Sequence, residues 1–170
     1  TVALKNFNEN ELQKLIMWAN KLKIDLTFIE VMPMEETEID RYHQFTPLDQ
    51  NFKKINSIFE FKKIDKNTGG PALYYQSKQL SINVGFITPL TNNFCASCNR
   101  VRISSTGKLF MCLGQNEYID FRDILRNDYS NDYIKEKINY ALKIKPKRHD
   151  FLIEENNKPY IQRHMNVTGG

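Results

Sequence analysis

The stretch Ile24-Asp25-Leu26-Thr27-Phe28-Ile29-Glu30-Val31-Met32 decides how the chain is organised. It is short, apolar and rich in β-formers, the pattern of a buried strand over Leu26–Val31. Upstream, Leu12, Leu15, Ile16, Ala19 and Leu22 recur at helical spacing, and Asn8 followed by Glu11 reads as a helix start. A helix is therefore predicted over roughly residues 9 to 23. A helix feeding a buried strand is the αβ end of a parallel sheet or barrel. Such a piece cannot close a barrel by itself, and its open edge would seek a partner. The chain opens on Thr1 rather than Met, and Thr1-Val2-Ala3-Leu4 looks like the end of a strand cut from something longer.

Downstream, Pro33 to Tyr42 is polar, acidic and without periodicity, which marks a crossing loop. Thr46 as N-cap and Pro47 in the first turn open a second helix that carries Leu48, Phe52, Ile55 and Phe59 on one face. Strand patterns follow at Glu60–Ile64, Leu73–Gln76, Leu80–Ile87, Arg100–Ser104 and Lys108–Cys112. Gly69-Gly70-Pro71 and Ser105-Thr106-Gly107 supply the turns. The last third returns to helix, first at Phe121–Leu125 and then in an amphipathic run through Ile134, Ile138, Ala141 and Leu142 that Pro146 stops. The expected fold is α/β plus α+β. Residues 1–42 form the terminal strand-helix part of an incomplete barrel, and residues 43–170 form a domain with a small antiparallel sheet and helices.

At 170 residues and 41% hydrophobic content the chain can bury a real core. It has no apolar run of membrane-spanning length and no signal-peptide pattern, so it is read as cytoplasmic with no membrane partner. A net charge of +4 is far from the dense basic stripe of a nucleic-acid binder. A small anionic ligand fits better. Lys143, Lys145, Lys147 and Arg148 read as a solvated helix end, with phosphate steering as the lesser alternative. His43, His149 and His164 have no positioned nucleophile and suggest no catalytic triad.

The strongest chemical signal is Phe94-Cys95-Ala96-Ser97-Cys98-Asn99-Arg100-Val101-Arg102, followed by Cys112, a C-x2-C-x13-C pattern. The two-residue gap lets Cys95 and Cys98 converge on one centre, and a hairpin through Gly107 can return Cys112 to them. Three thiolates suit a 4Fe-4S cluster with one open iron. Zinc completed by a distant histidine, or plain packing of small residues, are the alternatives. Arg100 and Arg102 fall on one side of an extended strand, with Val101 and Ile103 on the other. Guanidinium forks beside such a centre would orient a bound anion. The other reading is a solvated polar strand face.

Together, Gly85-Phe86-Ile87, the Cys95 to Arg102 motif, Gly107-Lys108-Leu109 and Cys112-Leu113 resemble the C-terminal cluster motif of the GTP 3',8-cyclases, radical S-adenosylmethionine lyases of molybdenum cofactor biosynthesis. Phe28 to Pro33, Gly70-Pro71-Ala72 and Gly169-Gly170 agree with it, so the resemblance runs along nearly the whole chain. It implies that Cys95, Cys98 and Cys112 bind a 4Fe-4S cluster that receives the purine of GTP. It further implies that Arg100, Arg102, Gly169 and Gly170 contact GTP and that Met32 lies near S-adenosylmethionine. The implied protein partners are the missing N-terminal radical domain, which carries a second 4Fe-4S cluster, and a second copy of the chain.

Two features depart from that family. No C-x3-C-x2-C occurs in the sequence, so the chain alone is expected to be inactive, with no catalytic residue of its own. Thr27 also stands where many members carry Arg, removing a phosphate contact. Two other readings stand beside the cyclase: a zinc-stabilised binding module, and an auxiliary-cluster domain of another radical enzyme.

Overall fold

A computed structural model of the chain describes residues 1–34, 41–127, 129–149, 151–152, 161 and 163–168. The described residues of Thr1–Met32 and Ile39–Phe94 form one compact unit. Those of Pro33–Glu38, Cys95–Leu152 and Asn157–Gly170 form a second.

The first unit is built on a five-stranded sheet in the order β1-β2-β5-β4-β3. Its strands are β1 (Val2–Ala3), β2 (Leu26–Glu30), β3 (Lys62–Lys63), β4 (Leu73–Gln76) and β5 (Asn83–Ile87). The pairs β1–β2 and β2–β5 are parallel, whereas β5–β4 and β4–β3 are antiparallel. The strand expected from Leu26 onward thus shares one sheet with three strands that follow the acidic loop. Helix α1 (Leu12–Leu22) crosses between β1 and β2 along the chain, and α3 (Leu48–Phe59) follows the short α2 (Arg41–Gln44). Both long helices pack an apolar face: Leu12, Ile16 and Ala19 join Leu48, Ile55 and Phe59 in the core around Phe28 and Val84. This is the transfer of apolar surface from water that drives the unit together. Leu22, expected on the buried face of α1, is 48% exposed, because the helix ends there at the left-handed Lys23.

Both predicted helix caps are corrected. Asn8 does not cap α1; its Oδ1 accepts from the backbone N–H of Leu4 at 2.8 Å, tightening the turn after β1. Thr46 does not cap α3 either: Pro47 occupies that position without a side-chain cap, and the buried Thr46 hydroxyl accepts from Asn51 Nδ2. Glu30, 1% exposed at the end of β2, supplies the missing acceptor through Oε1 to the Leu48 N–H at 3.2 Å. A carboxylate at a helix N-terminus satisfies an orphan donor and interacts favourably with the positive end of the helix dipole.

The second unit contains a three-stranded antiparallel sheet, β6 (Arg102–Ile103), β7 (Lys108–Phe110) and β8 (Tyr118–Asp120). Leu109 and Met111 on one side of it pack with Phe121 of α4 (Phe121–Arg126) and Ala141 of α5 (Asn131–Lys143). Asp120 and Ser130 cap these helices by accepting from Asp123 N–H and Tyr133 N–H. Ile138 and Leu142, read as part of the buried face of α5, are exposed; Ala141 and the half-buried Ile134 make the contact instead.

Candidate metal centre

Cys95 opens a single 3-10 turn, Cys95–Ser97, closed by the Cys98 N–H donating to Cys95 O at 3.1 Å. Cys112 lies just beyond β7 and is returned by the β6–β7 hairpin. The turn of that hairpin needs Gly107: φ is +82°, and a Cβ there would meet Arg122 Cβ at 2.8 Å. Positive φ is a conformation that glycine adopts without steric cost. All three cysteines are half-buried thiols.

Burial pushes the Cys112 thiol up, a Gly114 backbone hydrogen bond and the Lys145 charge pull it down, and Cys95 and Cys98 push it up again. Cys95 and Cys98 therefore lie close enough to Cys112 for their charges to bear on it. Among the described residues no three His, Cys, Asp or Glu side chains are grouped closely enough for one metal ion. A cubane cluster seats each cysteine on its own iron and asks only for looser convergence. Three soft thiolate donors match iron-sulfur chemistry, and nearby cations can offset the negative charge of such a group.

The strand register places Arg102 opposite Phe110, and Phe110 opposite Tyr118. Residues paired across strands share a face, so Arg102, Phe110 and Tyr118 line one side. Ile103, Leu109 and Ile119 line the side that packs on α4 and α5. The alternation read from sequence therefore holds for Arg102 and Ile103, although Ile103, on an edge strand, is 64% exposed. Arg100 is half-buried and lies before the strand. Arg102 Nη1 donates to Thr168 O at 3.4 Å. Met32 follows β2 in the first unit and is half-buried. Gly169 and Gly170 lie outside the described residues.

One cation of the basic helix end is corrected, and another escapes the sequence reading. Lys145 is half-buried rather than solvated, and its Nζ donates to Met111 O at 2.8 Å beside Cys112. Arg163 Nη2 donates to Cys112 O at 3.2 Å and to Leu113 O at 2.6 Å, while Nη1 donates to Asn116 Oδ1 at 3.1 Å. Its guanidinium lies 4.3 Å from the Phe110 ring centroid, a cation–π geometry. Burial lowers Arg163 from its ordinary value, Cys112 opposes that, and the like charge of Arg102 adds to it. No local pattern announces such a contact: Arg163 meets Cys112 from the far end of the chain.

The second unit thus carries all three cysteines together with a sheet face on which Arg102 lies beside Phe110 and Tyr118. Residues 24–151 match the family model Molybdenum Cofactor Synthesis C, and the chain belongs to that family. It is 48% identical over 170 residues to the GTP 3',8-cyclases of Brucella ovis, Brucella canis and Brucella abortus, with 99% of this chain and 49% of each relative covered. The chain spans about half the length of these curated relatives and corresponds to their C-terminal half.

Proposed function

We propose that the chain is the substrate-binding half of a GTP 3',8-cyclase in molybdenum cofactor biosynthesis, with Cys95, Cys98 and Cys112 holding a 4Fe-4S cluster. The observation that supports this reading is that Cys95, Cys98 and Cys112 fall in one compact unit, with Cys112 following the strand that the Gly107 hairpin turns back. When bound, a cluster held by three cysteines offers one iron to a purine nitrogen.

The chain's own residues bind and orient. Arg102, on the sheet face shared with Phe110, meets the anionic substrate, and Arg100 assists from the preceding loop. Gly169 and Gly170 admit close backbone approach to the ligand. Met32 sits beside S-adenosylmethionine. Thr27, in place of arginine, leaves the triphosphate to other cations.

Residues 1–42, which carry β1, α1 and β2 with the two strands parallel, are the closing part of a barrel begun by an N-terminal radical domain. Without that domain and its own cluster, the chain alone forms no product. A second copy of the chain remains a candidate partner in a cytoplasmic enzyme.

The test is anaerobic reconstitution. About four iron and four sulfide per chain, with an electron paramagnetic resonance spectrum that changes on adding GTP, is the expected result. Stoichiometric zinc without iron would make the chain a zinc-stabilised module. A cluster blind to GTP but responsive to peptide would make it the auxiliary domain of a different radical enzyme.

A further inference from the structure

We propose that Arg163 is a positioning residue that latches the C-terminal tail onto the Cys112 loop and so sets the tail against the ligand site. Its three donor contacts among the described residues reach one loop: the carbonyls of Cys112 and Leu113, and Asn116 Oδ1. A single guanidinium thus ties residue 163 to a segment some fifty positions earlier, through the fork geometry that only arginine has. The same group stacks on Phe110, whose ring lies 5.5 Å from Tyr118, and Lys108 caps Tyr118 from 4.1 Å.

Two features are hard to explain by stability alone. Arg163 Nε is buried and has no hydrogen-bond partner among the described residues. An unsatisfied buried donor is an expense that folds generally avoid. The guanidinium is also engaged by none of the salt bridges found among the described residues.

What the arrangement achieves is placement. Arg163 holds the start of the segment 163–168, and Arg102 holds its end through Thr168 O. Between them the tail makes a 3-10 turn, Met165–Thr168, with Val167 N–H donating to His164 O at 3.1 Å. Arg102 therefore serves the tail as well as the anion, and Arg163 fixes the register at which the two meet. The placement rests on the geometry alone, whereas its effect on GTP rests on the reading given under Proposed function.

The experiment compares the full chain with Arg163→Leu and Arg163→Lys by amide hydrogen exchange and by titration of the reconstituted protein with GTP. In Arg163→Leu, exchange over residues 164–168 and 112–114 is expected to accelerate together by at least about tenfold, while β2 and β5 keep their protection. Arg163→Lys keeps the charge but lacks the fork, and is expected to recover only part of the protection.

Full rescue by lysine, or unchanged exchange in Arg163→Leu, overturns the latch. If Arg163→Leu loses protection throughout, Asn116→Ala, at an exposed side chain, takes its place, and unchanged exchange over 164–168 in that variant overturns it equally. In the reconstituted protein the leucine variant is expected to keep its iron yet need at least about tenfold more GTP to change the spectrum. An unaltered GTP response in a variant with a loosened tail overturns the link to the ligand site. Failure of the unaltered chain to take up iron would instead count against the proposed function, leaving the exchange result to judge the latch.

Discussion

Thr27 and Gly85 face each other across β2 and β5, and the threonine side chain fills the space that any side chain at Gly85 would claim. A Cβ on Gly85 would meet Thr27 Oγ1 at 2.6 Å and Tyr74 Cε1 at 3.0 Å. The central strand is thus pressed from both neighbours.

Gly85→Ala is expected to destabilise the chain by about 1–3 kcal/mol through overpacking. Pairing it with Thr27→Ala should recover most of the loss. Urea unfolding of the single and double variants measures both, and an unaffected midpoint in Gly85→Ala would refute the close contact.

Glu30 joins three segments of the first unit. Besides the Leu48 N–H, its Oε2 accepts from Leu90 N–H at 2.9 Å and Thr91 N–H at 3.2 Å, and the Thr91 hydroxyl donates to Oε1. Glu30→Gln turns one acceptor oxygen into a donor facing other donors, and should cost about 1–3 kcal/mol. Thermal unfolding gives the loss. Faster amide exchange at Leu48 and Leu90 identifies its source.

Asp25 gives the chain an acid-sensitive lock. Burial works to raise its carboxyl, but Lys66 and the backbone and side chain of Asn83 outweigh that and hold it below the ordinary value of 3.8. Because the folded carboxyl titrates below the unfolded one, its contribution is complete above that value and is lost as pH falls through the folded one. The Asp25 side chain is 38% exposed, so screening keeps the effect below about 1 kcal/mol. Asp25→Asn should flatten the change in urea midpoint between about pH 5 and pH 3; an unchanged slope would assign the acid sensitivity elsewhere.

Cys112 should be the slow thiol in metal-free, reduced chain. Burial raises it above the ordinary value of 9.0, and thiolate is the reactive form. Alkylation by iodoacetamide, followed residue by residue by mass spectrometry, is expected to be slow at neutral pH and to climb beyond pH 9. Lys145→Met removes an opposing cation and should slow it further. Reaction at an ordinary thiol's rate at neutral pH would contradict the burial of this sulfur.

Much of this architecture is legible in local pattern. The strand at Leu26, the helix through Leu12 and Ile16, and the β6–β7 hairpin follow from periodicity and one glycine, because each is settled by neighbours in sequence. The cysteine motif stands out in the sequence because its three thiols fall at a C-x2-C-x13-C spacing. The caps are not: Glu30 reaches α3 from another element, displacing the nearer Thr46. Strand β8 also escaped, being three residues that pair only because β7 is already in place. Lys145 and Arg163 look like solvated charges until the fold returns them to the Cys112 loop.

The neighbours β2 and β5 lie far apart along the chain, with α2, α3, β3 and β4 between them. Their parallel pairing must therefore close a long loop before any contact compensates the lost entropy. On the ribosome the first sheet waits for β5 to emerge, so Phe28 stays wet until then. The β6–β8 meander joins strands adjacent in the chain and zips soon after synthesis. Refolding from denaturant should accordingly be limited by the docking of β2 on β5, which makes the apolar stretch from Leu26 the segment most exposed to misassembly.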